Sequence, residues 1–212
     1  GARLRQVNNR GIRSKLRWEA SDSTTITVAG DYGRYRSNQG FAYTPLNRNA
    51  ATLRTEPATA IAGVARDEVA LSFVPVVSAK QYGGSLTTEY DDGGIAFTSI
   101  SAYRKVDAYD ELDTDATQLD RTRLQIVAPT ETITQEIFAA SPDQGLFTWV
   151  GGLFFLTETA DRDPTRTTVR TAGGVTSQSD TTASSKTLAL APYAEVTLNA
   201  SERFKIIGGV RY

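Results

Sequence analysis

Two apolar runs joined by a compact turn, between Thr132 and Thr159, constrain this chain more than any other stretch. The first arm is Thr134 to Ala140, the turn is Ser141-Pro142-Asp143-Gln144-Gly145, and the second arm is Phe147 to Leu156. Proline presets φ and lacks a donor for a central ladder, while glycine accepts positive φ without a side-chain clash, so the pair brackets a turn between antiparallel neighbours. Along the second arm Phe147, Trp149, Leu153 and Phe155 share one parity and therefore one face of a strand. On the first arm Ile133, Ile137 and Ala139 share a parity, and Glu136 takes the other. Such a hairpin fits either the core of a soluble sandwich or a barrel wall with lipid outside and a polar lumen inside.

Composition removes many alternatives. The 212 residues contain neither Cys nor His, which takes away thiol nucleophiles, imidazole bases, disulfides and the usual zinc or copper ligand sets. No catalytic residue, metal site or cofactor is expected. A net charge of −1 argues against general binding to nucleic acid. The paired glycines 83–84, 93–94, 151–152, 173–174 and 208–209 make no phosphate-binding spacing ahead of a helix. No apolar run reaches the length of about 18 residues that a spanning helix needs, whereas a barrel strand needs only about 9–11. No signal peptide is recognised after Gly1 and no methionine occurs, so the chain reads as an excised piece.

Alternation recurs along the rest of the chain. Ile12, Leu16 and Trp18 oppose Arg13, Lys15, Arg17 and Glu19, and after a turn at 21–23 Ile26, Val28 and Tyr32 oppose Thr25, Thr27 and Asp31. Tyr82, Leu86 and Tyr90 oppose Ser85, Thr87 and Glu89, and Asp91-Asp92-Gly93-Gly94 is a tight-turn signal. The returning strand is read with Ile95, Phe97 and Tyr103 outward and Arg104 inward, although Ile100 and Ala102 sit on the inward parity. Leu188, Leu190, Ala194, Val196 and Leu198 oppose Tyr193, Glu195 and Thr197, and the last strand sets Phe204, Ile206, Val210 and Tyr212 against Lys205 and Arg211. Residues 34–80, 107–130 and 158–186 are read as long connections. The carboxylates of 107–120 (Asp107, Asp110, Glu111, Asp113, Asp115 and Asp120) are read as a solvated loop in preference to a calcium site, because the spacing and ordered glycine of an EF-hand are missing.

Short turns near 21, 92, 142 and 200 thus alternate with long segments. Outer-membrane barrels are built this way, with short periplasmic turns and longer extracellular loops, and aromatic girdles at both interfaces. The fold expected is an all-β, antiparallel, up-and-down transmembrane barrel segment of about eight strands, its outer face against lipid. Arg13, Arg17, Glu19, Glu89, Arg104, Glu136, Glu195 and Arg211 are the candidates for a polar lumen, because a charge facing lipid is costly.

Residues 135–142 (QEIFAASP), 147–155 (FTWVGGLFF), 98–104 (TSISAYR) and the closing Gly208-Gly209-Val210-Arg211-Tyr212 resemble barrel segments of TonB-dependent outer-membrane receptors. The resemblance covers nearly all strands and spares the long loops. It implies a bacterial outer-membrane location, a large barrel closed by an N-terminal plug, and uptake of a scarce small-molecule ligand such as an iron–siderophore complex, with energy supplied by the TonB complex. Neither a plug, nor a TonB-contacting box, nor a terminal barrel-closing strand ending in Phe is recognisable, so residues 1–212 are expected to be an internal part of the barrel domain. The alternative is a surface binding or adhesion module, built as a soluble β-sandwich or a small closed barrel. A barrel lipase ranks third, lacking any His for a serine nucleophile.

Overall fold

The computed structural model describes residues 4, 6–38, 71–114, 120–171, 174, 176–201 and 203–212. They form eight strands: β1 (Val7–Ser21), β2 (Thr24–Ser37), β3 (Val76–Tyr90), β4 (Ala96–Asp113), β5 (Thr122–Ala140), β6 (Phe147–Arg170), β7 (Thr176–Ser201) and β8 (Phe204–Arg211). Every strand pairs antiparallel with its sequence neighbour, giving one sheet in the order β1 to β8, and β1 does not pair with β8. This is the up-and-down order of the expected barrel segment, with the sheet open. A sandwich would need a second layer, and the described residues contain one sheet alone. Among them, the buried hydrophobic residues are Leu112 and Ala128, so no core lies on either side of most of the sheet.

The short turns are held by local chemistry. Gly93 and Gly145 adopt φ of +86° and +117°, as turn positions that exclude a Cβ require. Asp91 and Asp92 accept hydrogen bonds from the Gly93 and Gly94 N–H groups at 2.8 and 3.0 Å, closing two overlapping Asx turns. These bonds, the Gly94 N–H first and the Tyr90 hydroxyl next, hold the Asp92 carboxyl below its usual range. Ser141 clamps the organising hairpin by donating its N–H to the Trp149 carbonyl and accepting the Trp149 N–H on Oγ, both at 2.9 Å.

The other end of the sheet differs from the sequence reading in its boundaries. Residues 107–113 and 122–130 are strand, and so are 158–170 and 176–186. β6 and β7 reach 24 and 26 residues. Thr and Ser dominate there, and with water on both faces a ladder needs no apolar alternation to persist, so the pattern that marks the lower strands disappears while the pairing continues. Pro129 and Pro164, which cannot donate to a ladder, sit where the register of β5 with β6 and of β6 with β7 shifts. Of the residues singled out in the sequence, Asp115 and Gly173 lie outside the described residues, as do 39–70 of the segment 34–80.

The acidic stretch does not converge on one point. Asp107, Glu111 and Asp113 lie on one face and Asp110 on the other. Buried Asp113 accepts from both the N–H and the hydroxyl of Ser72, at 2.8 and 2.9 Å. Glu111 pairs with Arg123 at 3.2 Å, and Asp120 pairs with Arg123 and Arg170.

Candidate functional site

Paired residues in an antiparallel ladder share a face, so the register sorts every side chain to one of two surfaces. Ile12, Tyr32 and Tyr82 form one cross-strand row, and Leu16, Val28 and Leu86 form another. Phe97, Tyr103, Ile133, Ile137, Leu153, Phe155, Leu190, Leu198 and Ile206 continue the same surface across the sheet. This apolar face is open: Ile12, Leu16, Trp18 and Leu188 are 72%, 68%, 60% and 70% exposed. Its band from Leu188 to Leu198, at about 3.4 Å per residue and a tilt of about 40°, rises about 26 Å, close to the height of a lipid-facing barrel band. One polar spot interrupts it, where the Gln135 amide donates to Ser99 Oγ at 3.0 Å and to the Glu136 carbonyl at 3.1 Å, and Ser101 donates to the Gln135 oxygen. The spot satisfies its own hydrogen bonds.

The register places Arg13, Arg17, Glu19, Glu89, Arg104, Glu136, Glu195 and Arg211 together on the opposite face. Ile100 and Ala102 share it with Arg104, so this surface mixes small or apolar residues with charge. Three contacts join alternate strands across a small residue of the strand between. Arg104 on β4 donates to both oxygens of Asp31 on β2, at 2.8 and 3.1 Å, over Gly83 of β3. The Tyr193 hydroxyl on β7 donates to Glu136 on β5 at 2.9 Å, over Gly152 of β6. The Arg211 guanidinium on β8 stands 5.8 Å from the centre of the Phe154 ring on β6, on the face where Phe154 opposes Ala191 of β7. Arg17 and Glu19 approach to 3.7 Å along β1. Arg13, Glu89 and Glu195 form no ion pair among the described residues, so the candidates are spread over the face and do not gather into one cluster.

An open depression of about 520 Å³ lies on this face, lined by Arg13, Lys15, Asp31, Ser85, Arg104 and Thr132 among others. Its charged groups come from three strands, and its floor is low because Ala29, Ser85 and Ala102, which share this face, carry little side chain. Asp31, Lys15 and Tyr193 belong to this face; the sequence put them on its parity but not among the eight candidates. Their parity was legible, since each opposes an apolar run, but partnership across two strands has no signal in spacing along one strand.

No family model matches the sequence, and no curated protein matches it. Solved structures do match in fold. The ferric yersiniabactin uptake receptor FyuA from Yersinia pestis superposes with a TM-score of 0.67 at 17% identity, over 97% of this chain and 29% of that one. The siderophore receptor PiuA from Acinetobacter baumannii gives 0.58 at 12% identity, over 99% of this chain and 39% of that one. BauA, the ferric preacinetobactin receptor of the same species, gives 0.51 at 10% identity, over 96% and 39%. This chain therefore spans between 29% and 39% of the length of these three receptors. All three are receptors and none is an enzyme. The likeness to TonB-dependent receptors read from the sequence thus holds at the level of fold. The chain has the fold of a stretch of outer-membrane β-barrel wall, an antiparallel eight-stranded sheet matched by these receptors along nearly its whole length.

Proposed function

We propose that this chain is part of the barrel domain of a TonB-dependent outer-membrane receptor that takes up a scarce small ligand of the iron–siderophore type. In this reading residues 1–212 belong to the barrel, and the plug, the region that contacts TonB and the closing strand lie elsewhere in the parent protein. The observation that carries the reading is a single-layer sheet with one exposed apolar face and one charged face, in the fold shared with three receptors. In water an apolar surface of this extent is an aggregation site; against lipid it is the ordinary outer surface of a barrel. The contacts over Gly83, Gly152 and Ala191 support the charged face as the inner side, since side chains on alternate strands converge on the concave side of a curved sheet.

The eight candidates then line the lumen or meet the plug, with the short turns in the periplasm. The protein is a transporter, not an enzyme, and carries no cofactor of its own. Uptake of a ferric siderophore by cells carrying the full-length gene should fall to background when TonB is inactive. Undiminished uptake without TonB would reduce the parent to a passive pore or a binder. Single Cys substitutions test the faces: labels at 16 and 18 should report lipid and labels at 13 and 17 water. The reverse pattern would invert the assignment.

A further inference from the structure

We propose that Arg10, Arg34, Arg36 and Lys80 form a binding site for the phosphates of lipid headgroups at the upper margin of the apolar face. The inference rests on the reading that this face lies against lipid.

Arg10, Arg34 and Lys80 occupy one cross-strand row over β1, β2 and β3, and Arg36 stands in the next row between Asn8 and Ser78. With neighbouring strands about 4.8 Å apart, three cations share a span of about 10 Å. Like charges directly opposite one another on a sheet repel, and proteins ordinarily interleave carboxylates between them. None is interleaved here. Asp107 faces Lys80 in the register but makes no ion pair with it, and Arg10 has a neutral partner, the Asn8 side-chain oxygen at 3.2 Å. The four side chains are exposed, and none forms an ion pair among the described residues. Lys105, on the same face, differs in being paired with Glu131 at 2.6 Å.

Position selects the anion. The row below the cations is Ile12, Tyr32 and Tyr82, the upper edge of the apolar band, so the cations stand one step above the depth at which aromatic side chains mark a membrane interface. Toward the short turns, the strands of this face carry no cation among the described residues; Trp18, Ile26, Tyr90, Phe97, Trp149 and Phe204 hold the corresponding positions. The positive charge therefore marks one margin of the band and not both. A soluble anionic ligand of the transport route would meet the opposite, charged face. A headgroup phosphate meets this one, its acyl chains lying on Leu16, Val28 and Leu86 while the arginines offer planar paired donors to its oxygens.

The test uses the delipidated full-length protein in neutral detergent and native mass spectrometry. The probes are a bisphosphorylated acylated disaccharide lipid, its dephosphorylated counterpart and inorganic phosphate. The phosphorylated lipid should be retained at least about tenfold more tightly than the dephosphorylated one. The triple change R34Q/R36Q/K80Q should abolish that preference, while Arg203→Gln, a charge loss beside the last short turn, should leave it intact. If the triple variant fails to fold, the single change Arg36→Gln should reduce the preference several-fold, and Arg36→Lys, which keeps the charge but loses the paired donors, should reduce it less. Equal retention of the two lipids, an unaltered preference in the variant, or displacement by millimolar inorganic phosphate would overturn the proposal, the last by making the patch a free-anion site. A lipid-phase label on Leu16→Cys separates the two levels. Labelling with no phosphate preference rejects this site alone, and no labelling rejects the membrane reading beneath it.

Discussion

Gly151 and Gly152 are sequence neighbours on opposite faces, and replacing each by alanine should shift stability in opposite directions. A Cβ built on Gly152 would stand 2.6 Å from Phe138 Cβ and 2.7 Å from the Tyr193 ring carbon Cζ and its hydroxyl. Phe138 Cβ is fixed by the backbone, so the strands must part locally, and the Tyr193 ring must move as well, its hydrogen bond to Glu136 going with it. Overpacking costs about 1–3 kcal/mol. The lost bond to a carboxylate adds about 1 kcal/mol on this partly wetted face. Against these stands the gain of about 0.5–1 kcal/mol from restricting the unfolded chain. Gly152→Ala should therefore destabilise by about 1–3.5 kcal/mol, the difference of those terms. At Gly151 the nearest atoms are 3.7 and 3.9 Å away, ordinary contact, so Gly151→Ala should stabilise by about 0.5–1 kcal/mol. Urea unfolding of the full-length protein in lipid vesicles, followed by tryptophan fluorescence, reads both. In a Tyr193→Ala background the cost at 152 should fall by about 1 kcal/mol, the share of the ring and its hydrogen bond, while the contact with Phe138 Cβ remains. Equal effects at the two glycines, or a stabilised Gly152→Ala, would refute the close packing of the charged face.

Leu16→Arg, in the middle of the apolar band, should cost about 2–4 kcal/mol in vesicles, whereas Arg17→Leu on the other face should cost much less; comparable losses in unfolding titrations would contradict the face assignment. Asp180 and Arg166 make a bidentate pair at 2.8 and 2.8 Å near the top of the β6–β7 hairpin, and the guanidinium holds the Asp180 carboxyl below its usual range. A depressed carboxyl stabilises at any pH above its unfolded value and loses that contribution as pH falls through the folded one. Amide exchange at the top of the hairpin should thus stay slow down to about pH 4 and quicken only below it, and Asp180→Asn should remove that step. Arg104→Ala should cost no more than about 1 kcal/mol, because the pair with Asp31 is partly exposed; a double-mutant cycle with Asp31→Ala measures it.

The faces were legible in the sequence wherever the two sides meet different surroundings. Leu16 against Arg17, or Val196 against Glu195, are placed by period-2 contrast that a single strand already displays. At Ile100 and Ala102 that contrast fails, and the register settles their side through their partners Glu136 and Thr134. The upper strands were illegible for the opposite reason. From Asp161 to Arg170 and from Thr176 to Ser185 both faces are polar, so alternation carries no information and only the ladder itself reveals the strand. Tyr193 over Gly152 and Arg104 over Gly83 are products of three-strand geometry, which pairing order determines and residue spacing does not.

The height of β6 and β7 has a mechanical meaning. The facing ends of β6 and β7 at Arg170 and Thr176 form the tip of a continuous two-stranded ladder whose rungs run down to Phe147 and Leu198. A load applied at that tip does not stretch a slack tether; it is carried by rungs in shear, and the one compliant step on the way is the register shift between Arg162 and Thr165. The hairpin is thus a stiff beam with a single notch, and tip displacement should pivot at that notch while the rungs between Leu188 and Leu198 stay still.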